Sequence, residues 1–414
     1  MGALRLTVAA LLIVGVGAWA ASEAVASDWP CWRGPKGDNI SPEAGWTVTW
    51  PEGGPKKLWE TQVGAGYSPV SVVDGRAYTM GNVNKKEEVV WCFDAATGDV
   101  LWKHAYKCGG GGAGYPGPRA QPTVDGDRLY TISIRGHLKC LKTESGDVVW
   151  EIDLRTKFGS KGSAHGHCAN PVVLGKMLVV ATGAPPATVM AFDKMTGKLL
   201  WKGGDDPGGY STPMPYVFQG KLCLAVFTGT SMMGMDAADG RILWRYPWQS
   251  NLYISVSTPI ISDNKVFFSC DYGFGGALLQ ITDGQPKELW RNTSMANHFN
   301  TCVLWKGYLY GFTPRQKHSV SAKTVLRCME FATGKVKWET GGLGIGTLMV
   351  ADGKLILLGD AGDLVIAEPT PEAYKPISRA KVLGDRCWTV PVLANGRIYC
   401  RDEKGHLVCL DVSR

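Results

Sequence analysis

After residue 26 the sequence has no stretch of about 18 apolar residues, so nothing beyond its start reads as a helical membrane span. Charge of one sign is never concentrated: the net +7 is dispersed over 414 residues, which leaves no electrostatic footprint for a nucleic acid. Long Ala/Glu/Lys-rich runs are missing as well, and with them coiled coils and helical bundles are excluded. None of the 12 Cys neighbours another, and no Gly-x-Ser-x-Gly phrase is present, so a hydrolase built on a nucleophile elbow has no counterpart here.

The chain is instead rich in Gly (53), Trp (16) and Tyr (14), with 45% hydrophobic residues, ample for a large core built of strands. Its first 26 residues read as an export leader. Arg5 precedes the apolar run Leu6 to Val16, and Ala24-Val25-Ala26 has the small-residue pattern of a cleavage site. Residues 27–56 then form an N-terminal extension, and residues 57–414 are expected to form one domain in the periplasm or outside the cell.

That domain is a repeat. FDAATGDVLW, LKTESGDVVW, FDKMTGKLLW, MDAADGRILW and FATGKVKW end in Trp102, Trp150, Trp201, Trp244 and Trp338; Trp290 fits the same spacing, and Trp59 opens the series. Successive Trp residues lie 43 to 51 positions apart, which is room for one supersecondary unit of four strands. Each unit has a Pro-led strand, a Gly turn, a second strand, a third leading into Asp-x-x-Thr-Gly, and a fourth carrying the Trp. Unit starts fall at Pro69, Pro122, Pro171, Pro213, Pro259, Cys302, Thr347 and Pro391. The last unit ends at Arg414 before any Trp strand, while Trp59 sits in a Trp strand with no unit before it. The pattern therefore predicts an all-β, eight-bladed propeller of four-stranded antiparallel blades, its ring closed by the N-terminal strand; seven blades result if the degenerate unit 343–382 forms none.

Ala-x-Asp-x-x-Thr-Gly-x-x-x-Trp, fullest here as AFDKMTGKLLW, resembles the repeat of the pyrroloquinoline-quinone (PQQ) type propellers and differs from the Gly-His to Trp-Asp phrase of the WD propellers. The likeness runs through residues 57–414. It implies one of two branches: quinoprotein alcohol dehydrogenases, or non-enzymatic propellers similar to the scaffold of the outer-membrane assembly machinery. DWPCWRGPKGDNIS followed by WPEGGPKKLWE is also similar to a group of exported quinone-repeat propellers. A shared fold does not carry chemistry with it.

Residues repeated in every blade are read as structure, so function belongs where the repeat is broken. Connections from a Trp strand to the next Pro strand, and from second to third strand, lie on one face of a propeller. On that face the irregular segments offer Arg119, His165, His167, Trp248, Asp271, His298 and Asn300 as ligand-binding candidates. His165 and His167 precede Pro171, and His298 precedes Cys302, so the three are expected at one mouth of the channel. His165, His167 and Cys168 are candidate metal ligands. The Gly run 109–112 follows no strand-to-helix pattern and reads as a loop. Under the dehydrogenase alternative, PQQ with calcium needs a base, carboxylate and amide ligands and a stacking ring. Asp271, Asn300 and Trp248 are of the right type but match no motif of that branch, and its adjacent Cys pair is absent.

Cys92, Cys140, Cys328 and Cys409 share one repeat position and are expected to remain buried thiols, any disulfide coming from Cys31, Cys108, Cys168, Cys302 or Cys387. The reading is thus an exported, monomeric, non-catalytic binding or assembly module without a cofactor. A protein or small-molecule partner meets its loop face; no catalytic residue, nucleic acid or transmembrane domain is expected.

Overall fold

A computed structural model describes residues 25–110, 114–184, 187–249, 253–315 and 324–414. The leader expected over 1–26 lies outside these apart from Val25 and Ala26, as do Gly111 and Gly112 of the Gly run 109–112.

Short strands alternate with turns whose chemistry sets their direction. Between first and second strands, Asp74, Asp352 and Asn395 take φ of 49°, 46° and 54°, each followed by a Gly with φ of 64–73°. Consecutive positive φ angles make the tight hairpin turn that matches strand twist. Eight sheets result, seven of four strands and one of five. Second and third strands are buried on both faces because each blade is sandwiched: Leu129, Tyr130, Leu138 and Cys140 are wholly enclosed. The degenerate unit forms a full blade from Thr347–Ala351, Lys354–Leu358, Asp363–Glu368 and Lys375–Lys381. Ring closure follows the sequence reading: Lys56–Gln62 pairs antiparallel with His406–Asp411, from Lys56 opposite Asp411 to Gln62 opposite His406.

The repeat Trp residues join each blade to the next. Indole N–H groups of Trp59, Trp102, Trp150, Trp201, Trp290 and Trp338 donate to carbonyls of Ala95, Thr143, Lys194, Ala237, Phe331 and Thr370 at 2.8–3.2 Å, each in the following blade. Trp244 departs from this pattern and donates to Tyr216 Oη of its own blade at 3.0 Å, since the next unit has TDGQPK in place of Asp-x-x-Thr-Gly. The turn glycine lies flat on the ring. A Cβ on Gly98, Gly146, Gly197, Gly240 or Gly334 would fall 2.4–2.9 Å from Trp59, Trp102, Trp150, Trp201 or Trp290.

The N-terminal extension is part of the propeller. Trp29 exchanges backbone hydrogen bonds with Val72 (2.8 and 3.0 Å), Val124 N–H reaches Pro30 (2.9 Å) and Thr47 N–H reaches Val412 (2.7 Å). Ile40–Ser41 adds a parallel strand to the inner edge of the seventh blade, the Trp32 indole donates to Thr258 Oγ1 at 2.9 Å, and Glu43 accepts from the amides of Asn395 and Gly396 at 2.7 and 2.6 Å. Its anchors include first-to-second-strand turns, so it seals the channel on the face opposite the irregular loops. Trp46, with Val48 and Trp50 partly buried, joins the apolar cluster spanning blades seven, eight and one, where the seventh blade has no Trp of its own. Every one of the 12 Cys is a free thiol; the loop cysteines form no bridge.

Replacing Trp59, 8% exposed, with Ala removes the interlock that closes the ring and should cost about 3–5 kcal/mol. Urea denaturation should show an earlier midpoint with more aggregation; an unchanged midpoint and a monomeric variant would overturn closure through this residue.

Candidate functional site

Sealed below, the channel opens on the loop face as a cup of about 330 Å³. Trp32, Arg33 and Asn39 of the extension form part of its lining, as do Thr212, Thr258, Thr301, Thr347 and Thr389 at the starts of inner strands. Rings surround the rest: Tyr67, Tyr115, His165, Tyr210, Tyr272, His298, Phe299 and Trp388.

Trp388 organises the rim. Its ring lies 4.2 Å from Phe299, 5.8 Å from Tyr115 and 5.9 Å from Tyr67 between centroids. The indole donates to Asp360 Oδ1 at 3.1 Å, and the Arg386 guanidinium covers it at 4.6 Å. His165 sits between Tyr115 and Tyr210, at 6.0 and 5.7 Å. Arg119 lies over Tyr67 at 5.6 Å while its guanidinium donates to Gly117 O and Tyr115 O. Tyr67 Oη in turn donates to Glu403 at 3.0 Å. Offset and edge-on ring pairs of this kind contribute specific geometry beyond buried area.

Of the residues the sequence singled out, Arg119, His165, Cys168, His298 and Asn300 line the cup. His165 and His298 reach it from different blades, as the equivalence of their connections requires, and the proximity of His165 is felt by His298. Three candidates are placed elsewhere. Trp248 is 2% exposed, packed edge-on to Phe268 at 5.0 Å and covered by Arg291 at 4.0 Å. Asp271 is buried, with Oδ1 accepting from the Tyr272 amide at 2.6 Å. His167 is buried beside the cup, its Nε2 2.9 Å from Ser160 Oγ. The Ser160 hydroxyl proton is committed to Thr182 O at 2.8 Å, so Nε2–H of His167 is the donor.

The proposed metal trio is not assembled. His167 points at Ser160, and Cys168, with its thiol pushed up to about 11 by burial, has Sγ 3.7 Å from the carbonyls of His165 and Gly166. Sequence reasoning missed Trp388, Phe299, Tyr67 and the floor residues Trp32 and Arg33. Trp388 occurs outside the repeat phrase, in CWTVPV just before a Pro-led strand, and that displaced Trp was the available signal.

The wall does not suit a calcium–quinone pair. No Asp or Glu is among the described lining residues, so neither a carboxylate ligand for the ion nor a carboxylate base is at hand. Asp360 is engaged by the Trp388 indole and Asp271 by its neighbour's amide. What remains is a cup with ring faces, Thr and Asn edges and two guanidinium groups, suited to holding an apolar or flat moiety.

A family model described as outer membrane protein assembly factor BamB matches residues 85–340. Among curated relatives, the polyvinylalcohol dehydrogenase of a Pseudomonas species is 28% identical over 256 residues, 54% of this chain and 34% of that protein. Outer membrane protein assembly factor BamB of Moranella endobia is 22% identical over 324 residues, covering 75% of this chain and 79% of the relative. This chain therefore spans about a third of the dehydrogenase and most of the assembly factor. In fold it is similar to BamB from Moraxella catarrhalis (TM-score 0.58, 14% identity, 85% of this chain and 98% of that one). It is also similar to a quinohemoprotein alcohol dehydrogenase from Comamonas testosteroni (TM-score 0.66, 12% identity, 94% and 81%).

Burial lowers His167 and His298 to about 4, below the roughly 6.5 of an unfolded histidine. Between those values the unfolded chain binds protons that the folded one refuses, so stability falls as pH drops from about 6.5 to 4, and these two sites cause no further loss below. His298→Gln should flatten that decline by about 1.4 kcal/mol per pH unit, read from urea midpoints at pH 7 and 4.5. An identical pH profile in the variant would contradict the neutral, half-buried imidazole.

Proposed function

This chain belongs to the family described as outer membrane protein assembly factor BamB, and on that premise we propose that it is an exported, non-catalytic binding or assembly module working as a monomeric propeller. Its ligand is an apolar or aromatic moiety, a side chain of a protein partner or a small molecule, received in the cup on the loop face. The observation that carries this reading is the cup itself: sealed at its base by residues 29–47, walled by rings and without a carboxylate. Buried atoms without a partner lie on lining residues, Asn39 Oδ1, His298 Nδ1, Asn300 Oδ1 and Thr389 Oγ1 among them, and unpaired buried polar groups are costly enough to favour an occupant. No helix among the described residues is long and apolar enough to cross a membrane.

Two measurements test it. A photo-crosslinking side chain at Tyr253, 42% exposed on the loop face, should trap a specific partner in the native envelope, whereas one at Glu144, exposed in a third-to-fourth-strand turn on the opposite face, should not. Incubation with PQQ and calcium should give no alcohol-dependent dye reduction. Quinone-dependent turnover of an alcohol, polyvinyl alcohol included, would replace this reading with a dehydrogenase.

A further inference from the structure

A second polar cluster stands at the rim, outside the cup. Asp385 precedes Trp388 by three positions on the connection into the last blade, and Asp402 and His406 flank the Glu403-Lys404-Gly405 turn of that blade. One carboxylate oxygen of each Asp and one imidazole nitrogen of His406 lie within 4.8 Å of one another. The residues differ in setting: Asp402 is completely buried, Asp385 is partly exposed, and His406 is exposed, which gives an ion a way in.

Asp402 is the decisive member. Its Oδ1 accepts from the amides of Lys404 and His406, both at 3.0 Å, which fixes the carboxylate plane. Its Oδ2 has no hydrogen-bond partner although it is buried, and it faces His406 Nδ1 at 3.5 Å. That separation is long for a hydrogen bond. It matches the edge of a tetrahedron whose metal–ligand bonds are about 2.1 Å, roughly 3.4 Å. A buried carboxylate oxygen left unpaired is costly, and a cation between Asp402, His406 and Asp385 removes that cost.

The geometry points to a divalent transition-metal site of the zinc type made by Asp385, Asp402 and His406. An imidazole with two carboxylates selects such an ion over magnesium or calcium, which take oxygen ligands. Three protein ligands leave one position for water. In the metal-free chain Lys404 Nζ holds Asp385 Oδ1 at 2.7 Å, so this ammonium competes with the metal for one ligand. Occupation would tie the connection bearing Trp388 to the turn of the last blade by a metal link in addition to the existing Glu403 N–H to Arg386 O bond of 2.9 Å.

Tag-free, chelator-stripped protein titrated with zinc chloride at pH 7 in a calorimeter should bind one equivalent saturably. His406→Ala, a change at an exposed position that the fold does not need, should weaken binding at least tenfold, and Asp385→Asn should do likewise. Lys404→Met should tighten it by removing the competitor. Asp402→Asn keeps the Oδ1 acceptor for the turn and should also lose the ion with little change in melting temperature. No saturable uptake, or uptake equally strong in His406→Ala, would overturn the site and leave an ordinary contact between the Asp402 carboxylate and the His406 imidazole.

Discussion

The contact on which the ring depends is a Trp laid across the turn of the neighbouring blade. It has two parts that demand each other. The indole N–H needs an acceptor, and the carbonyl after the Asp position supplies it; the ring face needs a surface without side chain, and the turn glycine supplies that. The same glycines have φ of 69–77° at Gly98, Gly146, Gly197, Gly240 and Gly334, a region that other residues enter only with strain. Sterics and backbone conformation therefore exclude substitution together. Asp94 and Asp193 complete the turn by accepting from amides two and three positions ahead, so Asp, Gly and Trp of the phrase form one mechanical joint.

A ring of such joints leaves an open channel, and the extension changes what that channel is. Because residues 29–47 bond to inner strands and turns of several blades, they act as a cross-tie as well as a floor. Arg33 shows the cost of that position: its guanidinium is buried, is lowered to about 10 by loss of water, and bonds to the carbonyls of Gly37, Asp38 and Cys302. The Trp at position 32 faces the cup, whereas Trp29 is sealed behind it. One segment thus stabilises the ring and shapes the bottom of the cavity.

The fold was legible because most blades repeat the same physical solution. Hydrophobic alternation, Gly turns and the recurring Trp were each weak alone; their phase over the chain pointed to eight blades, with seven as the alternative until the degenerate unit proved to form a full blade, and it gave the strand order and the closing partner of Trp59. The cup was half legible. Equivalent connections put His165 and His298 on one face without any knowledge of their rotamers, and both reach the cavity. Whether a loop residue turns inward depends on local packing that no period encodes: Trp248 finds Phe268 and Arg291, and His167 finds Ser160. The floor was invisible for a different reason. Residues 27–47 carry no repeat, and their partners lie up to several hundred positions away, as with Asn39 and Leu348, so only the folded chain brings them together.

The same distinction decides where chemistry can reside. A joint that recurs at most blade junctions leaves little freedom, since each Trp and Gly that makes it is already committed to a neighbour. Freedom accumulates at the connections, where the eight units differ most in length and composition. There the chain concentrates rings around Trp388 and keeps carboxylates out of the wall, placing Asp360 behind the indole and Glu403 behind Tyr67 and Arg386. A quinone site needs acidic groups facing the occupant; here they face away from it and orient aromatic walls. That inversion of which groups face inward is the physical basis for reading this propeller as a receptor for an apolar moiety.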